Sequence, residues 1–485
     1  MTVDTMLGLL LQLLALLLLF AKLGRSWYRH LGGIFIVMAV LYHGVGEIFV
    51  SLFPGYNPYR PLFDTSYVGP FVLLISTAIL LFTVAYVSAV GRRTRAPIPS
   101  DTPEAAITKR VFNYKLMALI TLPLLLLTLS GQGYGSNGGV QGGVGATLGL
   151  SEQFFILGAV LSGFGFVMRF GSRWIVPVLI VQSVLLALVG ERLAIVIGAV
   201  MLIYVLSQFG MKPKRRGAVI GLVVLVLFAW AITAARGIEG RFNTTSGSSV
   251  RLTFLTTGSE NLFSPTTWHQ FAVTAGYRLD GNSYGAMELE ALRSGAHPVG
   301  LTPLKNDVLL AVPSFLNPNK DSGDPGNRVE KTYVEEHLPI PELLIGDTGT
   351  YLDILPTQLG TLLGILGESG MLVAAFFLGL AFAALDRWVR RDLGPVRMLV
   401  SLGVLYCVLN YEASWDTWTT TLRGIVVLVV LIGGLLGIRR LALSANRQVV
   451  ASGRLPVDRN LADAGRSRGR RPRRDEDDVV ASDRA

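Results

Sequence analysis

Two ionisable residues, His43 and Glu47, interrupt the apolar run 31–53 four positions apart. On a helix this spacing places both side chains on one face. Ionisable groups inside a membrane are expensive and usually line a cavity or pair with one another. An imidazole beside a carboxylate could bind a substrate or transfer its proton. A hydrogen bond between helices that only fixes packing is the alternative, and the sequence leaves both interpretations open.

The charged pair Glu191–Arg192 interrupts a second apolar run, from residue 174 to residue 209. One helical crossing of a bilayer needs only ~20 residues, so this run is long enough for two crossings. Basic residues flank both ends of the run, and both ends are therefore expected on the cytoplasmic side. The run thus predicts a hairpin of two spans with Arg192 at its outer tip.

A fixed arginine at that tip could stabilise the negative charge of a departing diphosphate. An ion pair between Arg192 and Glu191 at a helix end is the structural alternative. The polar segment 236–354 supplies further basic residues for the same task. A solvated charge is the simpler interpretation of each one taken singly; these residues are Arg236, Arg241, Arg251, Arg278, Lys320 and Arg328.

Candidates for a general base lie in the same polar segment. They are Glu335, Glu336 and His337 in YVEEHLP, and Asp347 in IGDTGT. YVEEHLP lacks the HExxH spacing of a zinc site, and three adjacent residues cannot all face one metal from a regular helix. No metal site and no cofactor are therefore expected.

Aromatic residues near the carboxyl-terminal spans are a further candidate feature. Tyr411, Trp415 and Trp418 lie in NYEASWDTWTT and could stack on sugar rings. The aromatic belt of a membrane interface explains them equally well, and we prefer that interpretation.

The composition indicates the elements that must position these residues. Of the 485 residues, 51% are hydrophobic and 16% are charged, against about 25% charged in soluble proteins. The pattern predicts an all-α polytopic membrane protein with eleven transmembrane helices and one large extracytoplasmic loop. The predicted spans are 3–22, 31–53, 68–90, 112–130, 152–169, 174–189, 193–209, 217–235, 367–386, 396–412 and 420–438.

Lys and Arg are enriched in every second connection between these spans, which sets the orientation. The amino terminus is expected outside and the carboxyl terminus in the cytoplasm. Four regions follow: spans 1–8 in 1–235, the outer loop 236–354, spans 9–11 in 355–440, and a charged, disordered cytoplasmic tail 441–485. Within the loop, SYGAMELEALRSG predicts a short helix.

Three features exclude other function classes. The net charge of +10 follows the orientation signal, so no nucleic-acid partner is expected. The glycine-rich segment 131–145 has no preceding strand, so an outer loop is expected there rather than a nucleotide-binding loop. The single cysteine excludes an intrachain disulfide framework.

The outer face of a membrane offers no ATP, so an enzyme acting there needs a substrate that carries its own activation. Sugars linked to a lipid through a diphosphate fit this requirement, because the diphosphate is the leaving group. Arginine or lysine would stabilise that group, and a carboxylate or histidine would accept the proton of the attacking hydroxyl.

Three stretches resemble bacterial O-antigen and oligosaccharide repeat-unit polymerases of the Wzy type. LLALVGERLAIVIGAVMLIYVL resembles their G-x-R hairpin, and LLAVPSFLNPNK resembles their periplasmic-loop motif. PTQLGTLLGILGESGMLVAAFFLGL resembles the GxxxxxxGxxG entry into the following span. The likeness covers roughly residues 185–385. It matches Arg192 to the hairpin arginine and Pro313, Pro318 and Lys320 to the loop motif, whereas Asn317 stands where an aromatic residue is usual.

The resemblance implies a membrane glycosyltransferase of the GT-C kind in the bacterial cytoplasmic (inner) membrane. Such an enzyme moves a growing glycan from undecaprenyl diphosphate onto the next lipid-linked repeat unit. The implied partners are the undecaprenyl-diphosphate-linked oligosaccharide, the lipid bilayer, and chain-length-regulator and flippase proteins. Alternatives are an O-antigen ligase, which differs in its acceptor, a flippase or other transporter of the same lipid, and a structural envelope subunit.

Overall fold

The computed structural model describes the helical framework and part of the polar segment. The described residues are 1–57, 60, 64–91, 103–115, 117–119, 152–188, 192–211, 219, 221, 223, 264–312, 334, 337, 338, 356–391, 394–412, 415, 417–419, 421–426, 429, 430 and 434. The chain divides into two compact units, Met1–Val429 and Val430–Ala485. The helices α1 to α13, between Val3 and Leu409, belong to the first unit.

All regular structure among the described residues is helical, with no strand. A π-helical turn, Leu41–Val45, joins α2 directly to α3. Short 3₁₀ turns lie at Gly24–Arg29, Pro54–Tyr56, Thr65–Tyr67 and Ser172–Trp174. The α-helices are α1 (Val3–Leu23), α2 (Leu31–Val40), α3 (Gly46–Leu52), α4 (Val68–Ala89), α5 (Pro103–Val111), α6 (Glu152–Phe170), α7 (Ile175–Leu188), α8 (Arg192–Gln208), α9 (Pro265–Leu279), α10 (Ser283–Arg293), α11 (Thr302–Ala311), α12 (Thr361–Val389) and α13 (Pro395–Leu409).

Four stretches of the described chain are long and apolar enough to cross a membrane: Val3–Arg29, Leu31–Leu52, Thr65–Ala89 and Thr361–Val389. They coincide with the first, second, third and ninth predicted spans. Four shorter apolar helices, α6, α7, α8 and α13, coincide with the fifth, sixth, seventh and tenth. The fourth, eighth and eleventh predicted spans lie largely outside the described residues, so the count of eleven remains a prediction.

The run 174–209 forms two helices, α7 and α8, as its flanking charges predict. A Cβ at Gly198 of α8 would lie 2.6 Å from the Gln182 Nε2 and the Leu186 Cδ1 of α7. Residues close to the turn on one helix therefore face residues close to the turn on the other. The two helices form an antiparallel hairpin.

One end of the bundle gathers four of the connections predicted to be basic; we call it the basic end. Asp386 near the end of α12 accepts hydrogen bonds from the backbone of Leu31 at 2.9 Å and from Tyr86 Oη at 2.7 Å. Gln208 Nε2, at the end of α8, donates to the carbonyl of Arg29 at 3.0 Å. The connections after spans 1, 3, 7 and 9 thus share one end, as their charges predict.

The opposite end, which we call the loop end, contains the connection after the second predicted span, part of the polar segment and the connection after α13. The Asn282 side chain donates to Glu47 Oε2 at 3.0 Å, which joins the polar segment to the end of the second predicted span. The backbone of Gln358, before α12, donates to the carbonyl of Tyr411, after α13, at 3.1 Å. Which end faces the outside of a cell remains a prediction.

Aromatic rings fill the core between the helices. Phe35 of α2 stacks on Phe82 of α4 with ring centroids 4.7 Å apart, and it lies 5.0 Å from Phe382 of α12. Tyr411 closes this cluster toward the loop end at 5.5 Å from Phe35. All four rings are buried, so they hold α2, α4 and α12 together beneath the loop end.

The helix α12 differs from the ninth predicted span in where it begins and in its continuity. α12 begins at Thr361 rather than 367 and is broken at Gly367, where φ is 74°. The backbone N–H groups of Val299 and Gly300 donate to the carbonyls of Gly364 and Ile365, both at 3.0 Å. Carbonyls freed by the break are therefore satisfied by the polar segment.

The predicted short helix within the polar segment is confirmed as α10, Ser283–Arg293, whereas α9 was not predicted.

Candidate functional site

His43 lies in the π-helical turn that joins α2 to α3. Such turns are frequent at functional sites because the wider turn reorients side chains and leaves backbone groups for other partners. Gly46, which follows the turn, allows the backbone at the end of α9 to approach closely, since a Cβ there would collide with the carbonyl of Leu279. The loop end of the second predicted span is therefore shaped to receive the polar segment.

Two polar side chains hold the fully buried imidazole of His43. Nδ1 lies 2.9 Å from Asn282 Oδ1, and Nε2 lies 3.2 Å from Thr357 Oγ1. Because the Asn282 amide nitrogen is committed to other acceptors, Oδ1 accepts and Nδ1 must carry the proton. The Thr357 hydroxyl accepts from the backbone of Gly360 at 3.0 Å, so it can donate to Nε2 of a neutral ring.

Glu47 lies one turn further along the same face and forms a buried ion pair. Both of its carboxylate oxygens accept from Arg60, at 2.8 Å and 2.7 Å. Asn282 Nδ2 also donates to Glu47 Oε2 at 3.0 Å and to the carbonyl of His43 at 3.1 Å. Asn282 therefore connects the two candidate residues of the second span, which the sequence had placed on one face.

Asp280 positions Asn282 by organising the turn before α10. Its Oδ1 accepts from the backbone of Asn282 and of Ser283, both at 3.1 Å. Its Oδ2 accepts from Asn57 Nδ2 at 2.6 Å and from the hydroxyl of Ser283. Asp280 is buried, and these bonds fix the start of α10 against the connection that follows α3.

A second ion pair, more accessible than the first, lies beside this network. Arg278 Nη1, at the end of α9, donates to Glu412 Oε1 at 3.1 Å. The Arg278 side chain is 32% exposed and that of Glu412 is 12% exposed. The Tyr42 hydroxyl, next to His43 in the chain, lies 3.5 Å from Glu412 Oε2. A reachable cation and a reachable carboxylate therefore meet at the loop end.

Arg192 is the first residue of α8, and the described structure covers its backbone only. The other end of α8, at Gln208, contacts Arg29 at the basic end. A helix of this length rises about 24 Å, at 1.5 Å per residue, so Arg192 lies at the loop end. The sequence predicts Arg192 at the same end as Glu47 and Arg278, and Glu412 lies at this end as well.

The candidate bases of YVEEHLP are only partly described. Val334 and Leu338 are buried and pack near Gly364 of α12, while His337 is exposed. Val334 and Leu338 therefore rest on α12. Glu335 and Glu336 lie outside the described residues, as do Asp347, Arg236, Arg241, Arg251, Lys320 and Arg328.

The aromatic residues of the last predicted connection have packing roles in the structure. Tyr411 is fully buried, with its ring 5.8 Å from that of His43. Trp415 stacks on Trp418 at 5.5 Å, and its indole N–H donates to the carbonyl of Gln358 at 2.9 Å. The burial of Tyr411 withdraws that ring from any stacking on a sugar.

No three His, Cys, Asp or Glu side chains converge as metal ligands in the part of the chain that the structure describes. The ionisable groups of the site are instead paired with Arg60, Arg278, Asn282 and Thr357.

Four residues of the site were not singled out from the sequence: Asn282, Asp280, Thr357 and Glu412. Their partners are far away in the chain, for example 235 positions between Asn282 and Glu47. Only Glu412 had a sequence signal, since an acidic residue in a short connection next to a span needs a partner. Arg60, which pairs with Glu47, was not singled out from the sequence either.

No protein-family model, no curated protein and no solved structure matches this chain.

Proposed function

We propose that this protein is a bacterial membrane glycosyltransferase that polymerises lipid-linked oligosaccharide repeat units. Its substrate would be an oligosaccharide carried on undecaprenyl diphosphate, and the loop end would face outward from the cytoplasmic membrane. The proposal follows the resemblance of residues 185–385 and the chemistry of the loop end. Flippase and chain-length-regulator proteins would act beside it.

The observation that carries this proposal is the Arg278–Glu412 pair next to the buried network of His43, Asn282 and Glu47. Glycosyl transfer needs a cation for the departing diphosphate and a base for the attacking hydroxyl. Arg278 has five N–H donors, and phosphate oxygens can take the place of the carboxylate that it contacts. The carboxylate of Glu412 would accept the proton of the attacking hydroxyl.

The chemical step can be written with these two residues. The hydroxyl oxygen of the acceptor sugar attacks the anomeric carbon of the donor as the bond from that carbon to the diphosphate oxygen breaks. The hydroxyl proton passes to the Glu412 carboxylate, and the bonding electrons leave with the diphosphate, where Arg278 compensates the charge.

Arg192 is proposed as a second cation for the diphosphate. It begins α8, and backbone N–H groups at a helix amino terminus attract anions. The buried network would hold the site in place, because Asn282 fixes the segment that follows Arg278. His43 and Glu47 would then act by positioning the polar segment rather than by touching the substrate.

Transport of the same lipid across the membrane is a second candidate function. Transporters commonly contain interrupted helices near their binding sites. Two interruptions occur in this chain, at the π-helical turn Leu41–Val45 and at Gly367 in α12. A transporter would move the lipid-linked unit without making a glycosidic bond.

A genetic test separates these functions. A strain that lacks the gene would be complemented with Arg192→Ala, Arg278→Ala or Glu412→Gln, and both polymer length and lipid-linked intermediates would be measured. We expect polymer to be lost while single lipid-linked repeats accumulate at the outer leaflet. Arg293→Ala is the matched control, because Arg293 pairs with Glu368 at the surface, where their side chains are 43% and 41% exposed.

Each other outcome of this test would indicate a different function for this protein. Single repeats that remain at the inner leaflet would indicate the transporter. Full-length polymer that stays on its lipid carrier would indicate a ligase, since only the final acceptor differs. Normal polymer in all three variants would refute the proposal.

A further inference from the structure

A groove of about 500 Å³ lies at the loop end, beside the site described above. Tyr56, from the turn after α3, lines one side, and α9 provides the other residues: Pro265, Trp268, His269 and Ala272. The volume falls within the range of about 300–1,000 Å³ found for small-molecule sites. None of the residue roles proposed above involves this groove.

We propose that the groove binds the carbohydrate part of the lipid-linked substrate, as an uncharged glycan. This inference rests on the proposed function and extends it from the diphosphate to the sugars. Three of the five lining residues present rings, and Trp268 is 55% exposed. Aromatic faces pack against the C–H faces of sugar rings, while the indole N–H and the imidazole can exchange hydrogen bonds with hydroxyl groups.

Close backbone packing holds the groove in shape without a ligand. A Cβ at Gly276 of α9 would collide with the carbonyl of Tyr56, so α9 lies directly on the turn that carries this ring. The Tyr56 ring stacks on Phe49 at 6.4 Å and lies 5.7 Å from His269. Rings that are already fixed lose little conformational freedom when a ligand binds.

The position of the groove along α9 matches the geometry that the substrate requires. Arg278 lies at the end of the same helix, ten residues after Trp268. At 1.5 Å per residue, roughly 15 Å of helix separates the two positions. A glycan chain has to extend away from the diphosphate to which it is attached. Sugars in the groove and a diphosphate at Arg278 would therefore lie along one helix.

Anchoring in the membrane interface is the competing explanation for an exposed tryptophan. Phe271, on the same helix, is 40% exposed and does not line the groove. An interfacial helix would use Trp268 and Phe271 alike, whereas a glycan site would depend on Trp268 and Tyr56 only. Phe271→Ala is therefore the matched control.

The experiment uses the full-length protein in lipid nanodiscs and two separate ligands. One is the lipid-free glycan released by mild acid from the lipid-linked repeats of the producing strain. The other is undecaprenyl diphosphate without sugar. Binding of each would be titrated for the wild type, Trp268→Ala, Tyr56→Ala and Phe271→Ala, with thermal unfolding measured to verify folding.

We expect Trp268→Ala and Tyr56→Ala to weaken binding of the free glycan by about tenfold each. Binding of undecaprenyl diphosphate should stay unchanged, and Phe271→Ala should bind both ligands as the wild type does. Trp268→Phe should recover part of the glycan affinity because it retains a ring.

The alternatives are distinguishable. If undecaprenyl diphosphate binds but the glycan fails to bind, or binds equally to Trp268→Ala, the groove proposal is wrong and the proposed function stands. Equal losses in Trp268→Ala and Phe271→Ala would identify a membrane anchor and overturn the groove. If the wild type binds neither ligand, both the proposed function and this inference fail.

Discussion

Asn282 and Glu47 lie 235 positions apart in the chain, yet the Asn282 side chain donates a 3.0 Å hydrogen bond to the Glu47 carboxylate. This contact attaches the polar segment to the second predicted span. The same asparagine contacts His43 Nδ1 at 2.9 Å, so one side chain organises both ionisable residues of that span. The stability and the function of the loop end should depend on this network.

The first prediction concerns the ion pair of Arg60 and Glu47. Arg60→Met would leave a carboxylate that is 3% exposed without its cation, and we expect a loss of about 3–5 kcal/mol in the free energy of unfolding. The double variant Arg60→Met/Glu47→Gln should lose less, because no buried charge is left unpaired. Unfolding in detergent would be measured for the wild type, for Arg60→Met, for Glu47→Gln and for the double variant. Strictly additive effects of the two substitutions would contradict the pairing.

A second prediction concerns the break in α12. Gly367 has a φ of 74°, and a Cβ there would lie 3.0 Å from Pro298 Cγ. Gly367→Ala should therefore destabilise the protein by about 1–3 kcal/mol through backbone strain. Gly55→Ala is the control, because Gly55 has open space and no positive φ. Equal unfolding temperatures for the two variants would show that the break is not required.

The third prediction is a pH dependence at the basic end. Burial, followed by the charges of Arg390 and Arg29, lowers the pKa of His30 from 6.5 to about 3. His30 Nε2 lies 2.6 Å from Arg390 Nη1, so the folded state holds a neutral ring that accepts from the guanidinium.

The sign of this effect follows from proton uptake. Between pH 6.5 and pH 3 the unfolded chain binds a proton at His30 that the folded chain does not bind, so stability falls as the pH decreases. The loss is at most about 1.4 kcal/mol per pH unit. Unfolding should be compared between pH 7.5 and pH 5 for the wild type and His30→Gln. A variant that loses stability as steeply as the wild type would show that His30 is not the source.

Apolar runs predicted the helices well, because a stretch that buries its backbone polar groups in hydrocarbon must satisfy them internally as a helix. The hairpin of α7 and α8 followed from the charges at the ends of the run 174–209. The short helix α10 was also predicted. In contrast, α9 was missed because polar and apolar residues are mixed along it and it contains no apolar run.

The site was predicted only in part. His43 and Glu47 were identified because charge in an apolar run is conspicuous, and Arg278 was identified because it is basic. Their partners were not predictable, since the bond from Arg278 to Glu412 joins residues 134 positions apart. The groove beside Tyr56 was also invisible, because two elements distant in the chain form its walls.

The sequence by itself determined the apolar helices among the described residues and which of their basic connections share an end, because hydropathy and charge act on each segment independently of the others. Only the tertiary structure decided which polar residues meet. That choice depends on close backbone approaches, at Gly46 and Gly276 for example, and these exist only once the helices have packed.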